Sequence, residues 1–295
     1  MRAYSDDPAG IADAVSDADA VLIGAGSGLS TSAGLTYDGD RFHRLFHDFE
    51  ERFGITDMYT GGFRRFPDEE TYWAWWSRHI WHNRYDVQVN GAYRDLLQLV
   101  RDREHFVITT NVDHQFVMNG FDEGRVFAVQ GDYGLLQCAN ACTDDTYDDR
   151  DIVSEMVIGQ KDMRVPSGLV PRCPVCGGRM VPNLRCDDKF VQDARWHASK
   201  ERYESFLREH GGSKVLFLEM GVGPSTPGWI KYPFWNMTYS NPDSTYACIG
   251  YEHSVCPKEI RDRSILIDAD IAETLDLALR SRRTAQMPVR SPTPV

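Results

Sequence analysis

The chain has 295 residues, enough for one large α/β unit or two average domains, and with 42% hydrophobic residues it can bury a full core. Its 44 acidic and 32 basic residues leave a formal charge of −12, which gives little counterion-release drive toward a phosphate backbone and argues against nucleic-acid binding. No apolar run approaches the roughly 20 residues of a membrane span, and the acidic opening lacks a signal peptide's basic-then-apolar pattern, so the expectation is a cytoplasmic protein without a membrane partner.

From the N-terminus, the apolar run 20–23 breaks into Gly24-Ala25-Gly26-Ser27-Gly28-Leu29-Ser30, the pattern of a buried strand entering a glycine turn and then a helix. Phe42, Leu45, Phe46, Phe49 and Phe53 recur near i, i+3, i+4, i+7 and predict a helix with an apolar face. In the aromatic stretch 71–85, Trp73, Trp76 and Ile80 fall on one helical face. That face either packs on the core or walls a ligand pocket. Tyr93, Leu96, Leu97 and Val100 mark another packed helix. Short apolar runs follow at 105–109, 126–129, 214–219, 245–250 and 264–267, separated by stretches of helical periodicity. The alternation predicts an α/β fold with a parallel, doubly wound sheet. Between 135 and 190 the periodicity fades. The segment 286–295 carries three prolines and reads as a disordered tail.

That aperiodic segment holds Cys138 and Cys142 in C-x3-C and Cys173 and Cys176 in C-x2-C, the second pair inside Cys-Pro-Val-Cys-Gly-Gly. Four thiolates suit tetrahedral Zn2+ and close its shell, which makes the metal structural; the other reading is free buried cysteines in a reducing compartment. Cys186, Cys248 and Cys256 read as packing residues. The glycine turn lets backbone approach a pyrophosphate at a helix N-terminus, but an aromatic helical segment follows it where an ordinary dinucleotide fold needs a second strand. The run Val107-Ile-Thr-Thr-Asn-Val-Asp113 delivers Asn111 and Asp113 to the carboxyl edge of the sheet, where open α/β folds bind ligands; helix capping is an equal reading of Asp113.

Taken in order, these motifs resemble the sirtuin family of NAD-dependent enzymes over nearly the whole chain, from about residue 20 to 279. Gly26-Ser-Gly-Leu-Ser-Thr-Ser-Ala-Gly34 is similar to the family's GAGxSxxSG loop, Thr109-Thr-Asn-Val-Asp113 to its TQNxD, and Gln130-Gly131 followed by Cys138 to its HG-x6-C. CPVCGG matches the second half of the zinc site, and Gly221-Val-Gly223 stands where the family has its GTS loop. The resemblance implies a Rossmann-like NAD-binding domain at 1–36, 86–134 and 191–285, a helical insertion at 37–85 and a zinc-binding module at 135–190. By the matching motifs, Asn111 would hold the ribose and an ordered water, Gln130 the ribose hydroxyls, and Asp113 the loop. Gly26, Ser27, Gly28, Ser30, Gly34 and Tyr37 would contact NAD on one side. Gly221, Val222, Gly223 and Thr226 would contact the adenosine half.

Two departures direct the functional reading. Gln130 replaces the family's general-base histidine, and an amide takes no proton near neutral pH. Thr36-Tyr-Asp38-Gly39 replaces PxFR after the loop. Both departures, with the aromatic stretch 73–85 and the segment 221–234, resemble the macrodomain-linked microbial sirtuins. That resemblance implies protein ADP-ribosyltransferase activity on a lipoylated, glycine-cleavage-H-like carrier, with a partner macrodomain hydrolase that removes the mark. Alternatives are a deacylase using another base such as His114, an NAD hydrolase, and a silent NAD-binding scaffold. Arg41, Arg44, Arg64, Arg65, Arg78 and Arg84 are candidates for a basic patch lining the approach to an acidic carrier.

Overall fold

In the computed structural model, residues 4–87, 91–224, 227–252 and 254–286 are described. The tail expected at 286–295 lies outside them except for Gln286, where the helix Ile271–Gln286 ends. The strands are β1 (Ala20–Ala25), β2 (Glu104–Thr109), β3 (Val126–Ala128), β4 (Gly131–Cys138), β5 (Tyr147–Asp148), β6 (Met180–Leu184), β7 (Val215–Met220), β8 (Thr245–Ile249) and β9 (Ser264–Ile267). Six of them form one sheet in the order β3-β2-β1-β7-β8-β9, and β5-β4-β6 form a second sheet. β1 pairs parallel with β7 from Ala20 opposite Val215, β7 with β8, and β8 with β9. The continuous apolar runs read from the sequence are therefore fully buried central strands, with every residue of β1, β7 and β8 inside.

The chain divides into two compact units, the first formed by Met1–Ala33, Asn90–Ile108 and Tyr203–Val295, the second by Gly34–Val89 and Thr109–Arg202. In the first unit the helices Pro8–Asp17, Gly91–Val100 and Ile271–Gln286 pack on one another. Ile230 and the helix Lys231–Ser240 lie over the sheet, so close at Phe234 that a side chain at Gly24 would collide with both.

The second unit has its own core. The helices Gly39–Phe53 and Glu69–Ile80 meet there in an aromatic cluster centred on Trp75, whose ring lies 4.5 Å from Phe46 and 5.3 Å from Phe49. Trp73, Trp75 and Trp76 are all buried, so the helix is enclosed on more than the single face its periodicity predicts. A π-helical turn, Trp81–Tyr85, continues this helix. β4 pairs antiparallel with β5 and β6, and a helix, Arg150–Gly159, follows β5. The aperiodic segment of the sequence is thus ordered, and its Leu136, Val153, Met156 and Met180 join the core of the tryptophans and phenylalanines; its strands are too brief for period counting.

Candidate active site

The strand order reverses direction at β1, which has β2 on one side and β7 on the other. The carboxyl ends of β1 and β7 therefore form a topological switch point, the place where open α/β sheets bind ligands. The glycine loop leaves β1 there and meets the turn after β7. A Cβ on Gly28 would lie 2.6 Å from the Gly221 Cα, and one on Gly26 would lie 2.5 Å from the Gly221 carbonyl oxygen. Gly221 itself has φ 61. Glycine is needed here because two backbones touch, and the contact is sealed by Gly26 N–H donating to the Met220 carbonyl and Gly28 N–H to the Gly221 carbonyl, each at 3.0 Å. Ser30 is buried, its hydroxyl 2.9 Å from that of Tyr93. Val222 is buried next to Gly223, and Thr226 lies outside the described residues.

In the second unit Asn111 and Asp113 line one small cleft together with His114, Gly131 and Asp132. Asn111 N–H donates to the Thr109 hydroxyl at 3.0 Å, which folds the chain back at the strand end. Asp113 accepts from the Gln115 N–H at 3.1 Å, a turn bond just ahead of the short helix Gln115–Met118; the N-cap of that helix is His114, so Asp113 orders the loop without being the cap, and it lines the cleft. Gln130 is half-buried, and its carbonyl accepts from Arg185 N–H at 3.0 Å. Gly131 follows at φ 102, with the Asn183 carbonyl 1.9 Å from where a Cβ would stand. No side chain fits there.

Two polar chains that the sequence reading did not assemble support this cleft. In the first, the Tyr37 and Tyr133 hydroxyls are 2.7 Å apart, and Tyr133 lies 2.8 Å from His79 Nε2. Burial, with the charge of Arg41, pushes the His79 imidazole down to about 3, so it stays neutral at physiological pH. Its Nδ1 has no partner among the described residues, which favours the tautomer with the proton on Nε2. In the second chain, Asp132 accepts from His114 Nδ1 and from Arg84 Nε, each at 2.8 Å. Burial pushes its carboxyl up, but these two partners outweigh that and hold it at about 2. The visible signals were a histidine beside Asp113 and an acid one residue past Gln130-Gly131.

Of the six arginines read as a basic patch, three are held inside the unit. Arg41 donates to the carbonyls of Thr36 and His82, Arg78 to Asp48 and Gln160, and Arg84 to Asp132. Arg78 and Arg84 are offset by the carboxylates they pair with, so the region is less basic than the number of arginines implies, whereas Arg41 is bonded only to carbonyls and keeps its charge.

Cys138, Cys142, Cys173 and Cys176 converge, all four sulfurs lying within 4.8 Å of one another. The Cys138–Cys176 and Cys142–Cys173 sulfur separations are 3.7 and 3.5 Å. A tetrahedron with metal–sulfur bonds of about 2.3 Å has edges of about 3.8 Å, so the cluster fits zinc as it stands. The N–H of Cys142 helps hold the Cys138 thiol down to about 6, toward the thiolate a metal takes.

No family model matches the chain. A Sir2 homologue in complex with NAD superposes with a TM-score of 0.63 at 15% identity, covering 97% of each chain. A Sir2 homologue bound to a myristoylated histone peptide gives 0.57 at 17% identity, over 95% of this chain and 98% of that one. These fix the fold. In sequence, a protein ADP-ribosyltransferase of Staphylococcus aureus is 38% identical over 274 residues, 92% of this chain and 87% of the relative. The chain belongs to the sirtuin family. A second relative of this sirtuin, from Fusarium oxysporum f. sp. cubense, is a probable bifunctional ADP-ribose hydrolase/ADP-ribosyltransferase, 34% identical over 74% of this chain and 38% of its own length.

Proposed function

We propose that this sirtuin is an NAD-dependent protein ADP-ribosyltransferase, which breaks the bond between nicotinamide and C1′ of the ribose and passes ADP-ribose to a protein. The observation that carries this reading is the 38% identity, over 92% of the chain, to a protein of that name, joined to a glutamine at position 130. An amide still hydrogen-bonds a ribose hydroxyl while an oxocarbenium-like state forms. It cannot do the proton work of deacylation.

In this reading Asn111 and Gln130 hold the ribose and Asp113 fixes their loop. Gly26, Ser27, Gly28, Ser30, Gly34 and Tyr37 contact the cofactor's phosphate and nicotinamide side, and Gly221, Val222, Gly223 and Thr226 its adenosine side. Residues 1–36, 86–134 and 191–285 form the NAD-binding domain, 37–85 the helical insertion and 135–190 a module held by structural zinc. The acceptor is a lipoylated, glycine-cleavage-H-like carrier, and a macrodomain hydrolase reverses the mark. The bifunctional name of the fungal relative supports that pairing. The reaction takes place in the cytoplasm, in keeping with four cysteines gathered as thiols suited to a metal.

The test is intact mass spectrometry of lipoylated and unlipoylated carriers incubated with NAD and the protein, with nicotinamide release followed in parallel. An ADP-ribose adduct confined to the lipoylated carrier is the expected result. Loss of an acyl group would instead make the protein a deacylase, and nicotinamide release with free ADP-ribose and no adduct would make it a hydrolase.

A further inference from the structure

The chain of Arg84, Asp132 and His114 has no part in the roles assigned above. His114 has φ 61, a left-handed conformation that is uncommon for a residue with a side chain and that persists where surroundings hold it. The hold is visible. Its Nδ1 meets Asp132 Oδ2 at 2.8 Å, while Asp132 Oδ1 accepts from Arg84 Nε at 2.8 Å and from the Gly134 N–H at 2.7 Å. A carboxylate on Nδ1 fixes the tautomer that carries its proton there and leaves the Nε2 lone pair available. Nε2 has no hydrogen-bond partner among the described residues, the side chain is 23% exposed, and His114 lines the cleft that also holds Asn111 and Asp113.

We propose that His114 is the general base of the transfer step, taking the proton of a hydroxyl, thiol or water acceptor, with Asp132 and Arg84 as positioning residues. This rests on the transferase reading. In the step, the bond from C1′ to nicotinamide breaks and its electron pair neutralises the pyridinium nitrogen, so nicotinamide leaves uncharged. The acceptor's heteroatom bonds to C1′, its proton moves to Nε2, and imidazolium then releases that proton to solvent. A carboxylate acceptor would need no base, so the dyad selects a protic nucleophile. The charged groups around His114 are Asp132 behind it, Arg84 behind Asp132, and Asp113 on the same loop. Asp132 stays ionised from about pH 5 to about pH 8, so its own titration adds no pH response over that range.

The experiment compares wild type, His114→Gln and His114→Gly for NAD affinity by calorimetry and for carrier labelling and nicotinamide release across that pH range. Wild-type transfer should weaken toward the acid end, as transfer assisted by a general base does. His114→Gln should bind NAD like wild type, lose transfer about 100-fold or more, and lose the acid limb. Glycine accepts the left-handed backbone, so His114→Gly should fold, lose transfer equally, and regain part of it with added imidazole. Unchanged transfer and acid limb in His114→Gln would overturn the base, as would a His114→Gly loss that imidazole leaves untouched. A wild type that binds NAD yet neither releases nicotinamide nor labels any carrier would overturn the transferase reading, and this inference with it.

Discussion

Asn111 and Gln130 are the residues on which the proposed chemistry turns, and each has a direct test. Asn111 sits at the end of β2 with its backbone anchored to Thr109. Asn111→Ala should abolish nicotinamide release while circular dichroism and melting stay near wild type; a folded variant that still transfers would remove Asn111 from the site. Gln130→His restores the family's base at that position. It should gain measurable deacylation of an acylated peptide by mass spectrometry, and no gain would place the block in the altered Thr36-Tyr37-Asp38-Gly39 segment. Asp149 is a stability probe. It is fully buried, accepts from the Tyr85 hydroxyl at 2.6 Å, and its Oδ2 has no partner among the described residues. Burial, against the Tyr85 hydrogen bond, pushes its carboxyl up to about 7. A raised carboxyl stabilises the fold below the unfolded value of about 3.9 and loses that contribution as pH climbs through about 7. Asp149→Asn should therefore raise Tm at pH 8 relative to wild type by more than it does at pH 5, as read by thermal melts at the two pH values.

At the scale of elements, the helix Glu69–Ile80 and the four-cysteine module each organise part of the second unit. Trp75 touches Phe46, Phe49 and Phe66, and a Cβ on Gly61 would collide with its ring. Removing that volume from a closed core leaves a cavity that its stacked neighbours cannot fill. Trp75→Ala should cost about 3–5 kcal/mol in urea unfolding, and a loss under about 1 kcal/mol would mean that the cluster collapses around the gap. The zinc proposed for the cysteine module makes a different prediction. Cys173→Ser removes one of four sulfurs, so zinc content by atomic absorption should fall and Tm with it; unchanged zinc would refute the assignment. The π-helical turn Trp81–Tyr85 belongs to this scale too, because from it Arg84 reaches Asp132 and Tyr85 reaches Asp149. Its signature in the sequence is nil: the same residues would extend an ordinary helix, and only packing selects the wider turn.

For the whole molecule, strand content and sequence order were legible in the chain, because a strand buried on both faces must be a short continuous apolar run bounded by turn residues. Each of the six runs became a strand of the large sheet. The four cysteines were legible for a similar reason, since metal ligands occur in close pairs whatever the fold around them. Far less legible was the occupancy of individual groups. The loop glycines read as a phosphate cradle, whereas two of their amides are taken by the Met220 carbonyl at the end of β7 and the Gly221 carbonyl after it. Half of the arginines in the expected patch are bound to partners inside the unit, 48 residues away in the case of Arg84 and Asp132.

By itself the sequence determined the fold class, the motif order that marks a sirtuin, the two close pairs of cysteines and the presence of a glutamine at position 130. All of these are carried by neighbouring residues or by the identity of a single side chain. Only the tertiary structure decided the strand order with its switch point beside β1, the burial of Trp75 among phenylalanines, the Tyr37, Tyr133 and His79 chain, and the fixing of His114 by Asp132. Those pairings join residues far apart in the chain, and local periodicity holds no record of which distant polar group will satisfy a given donor once both are withdrawn from water.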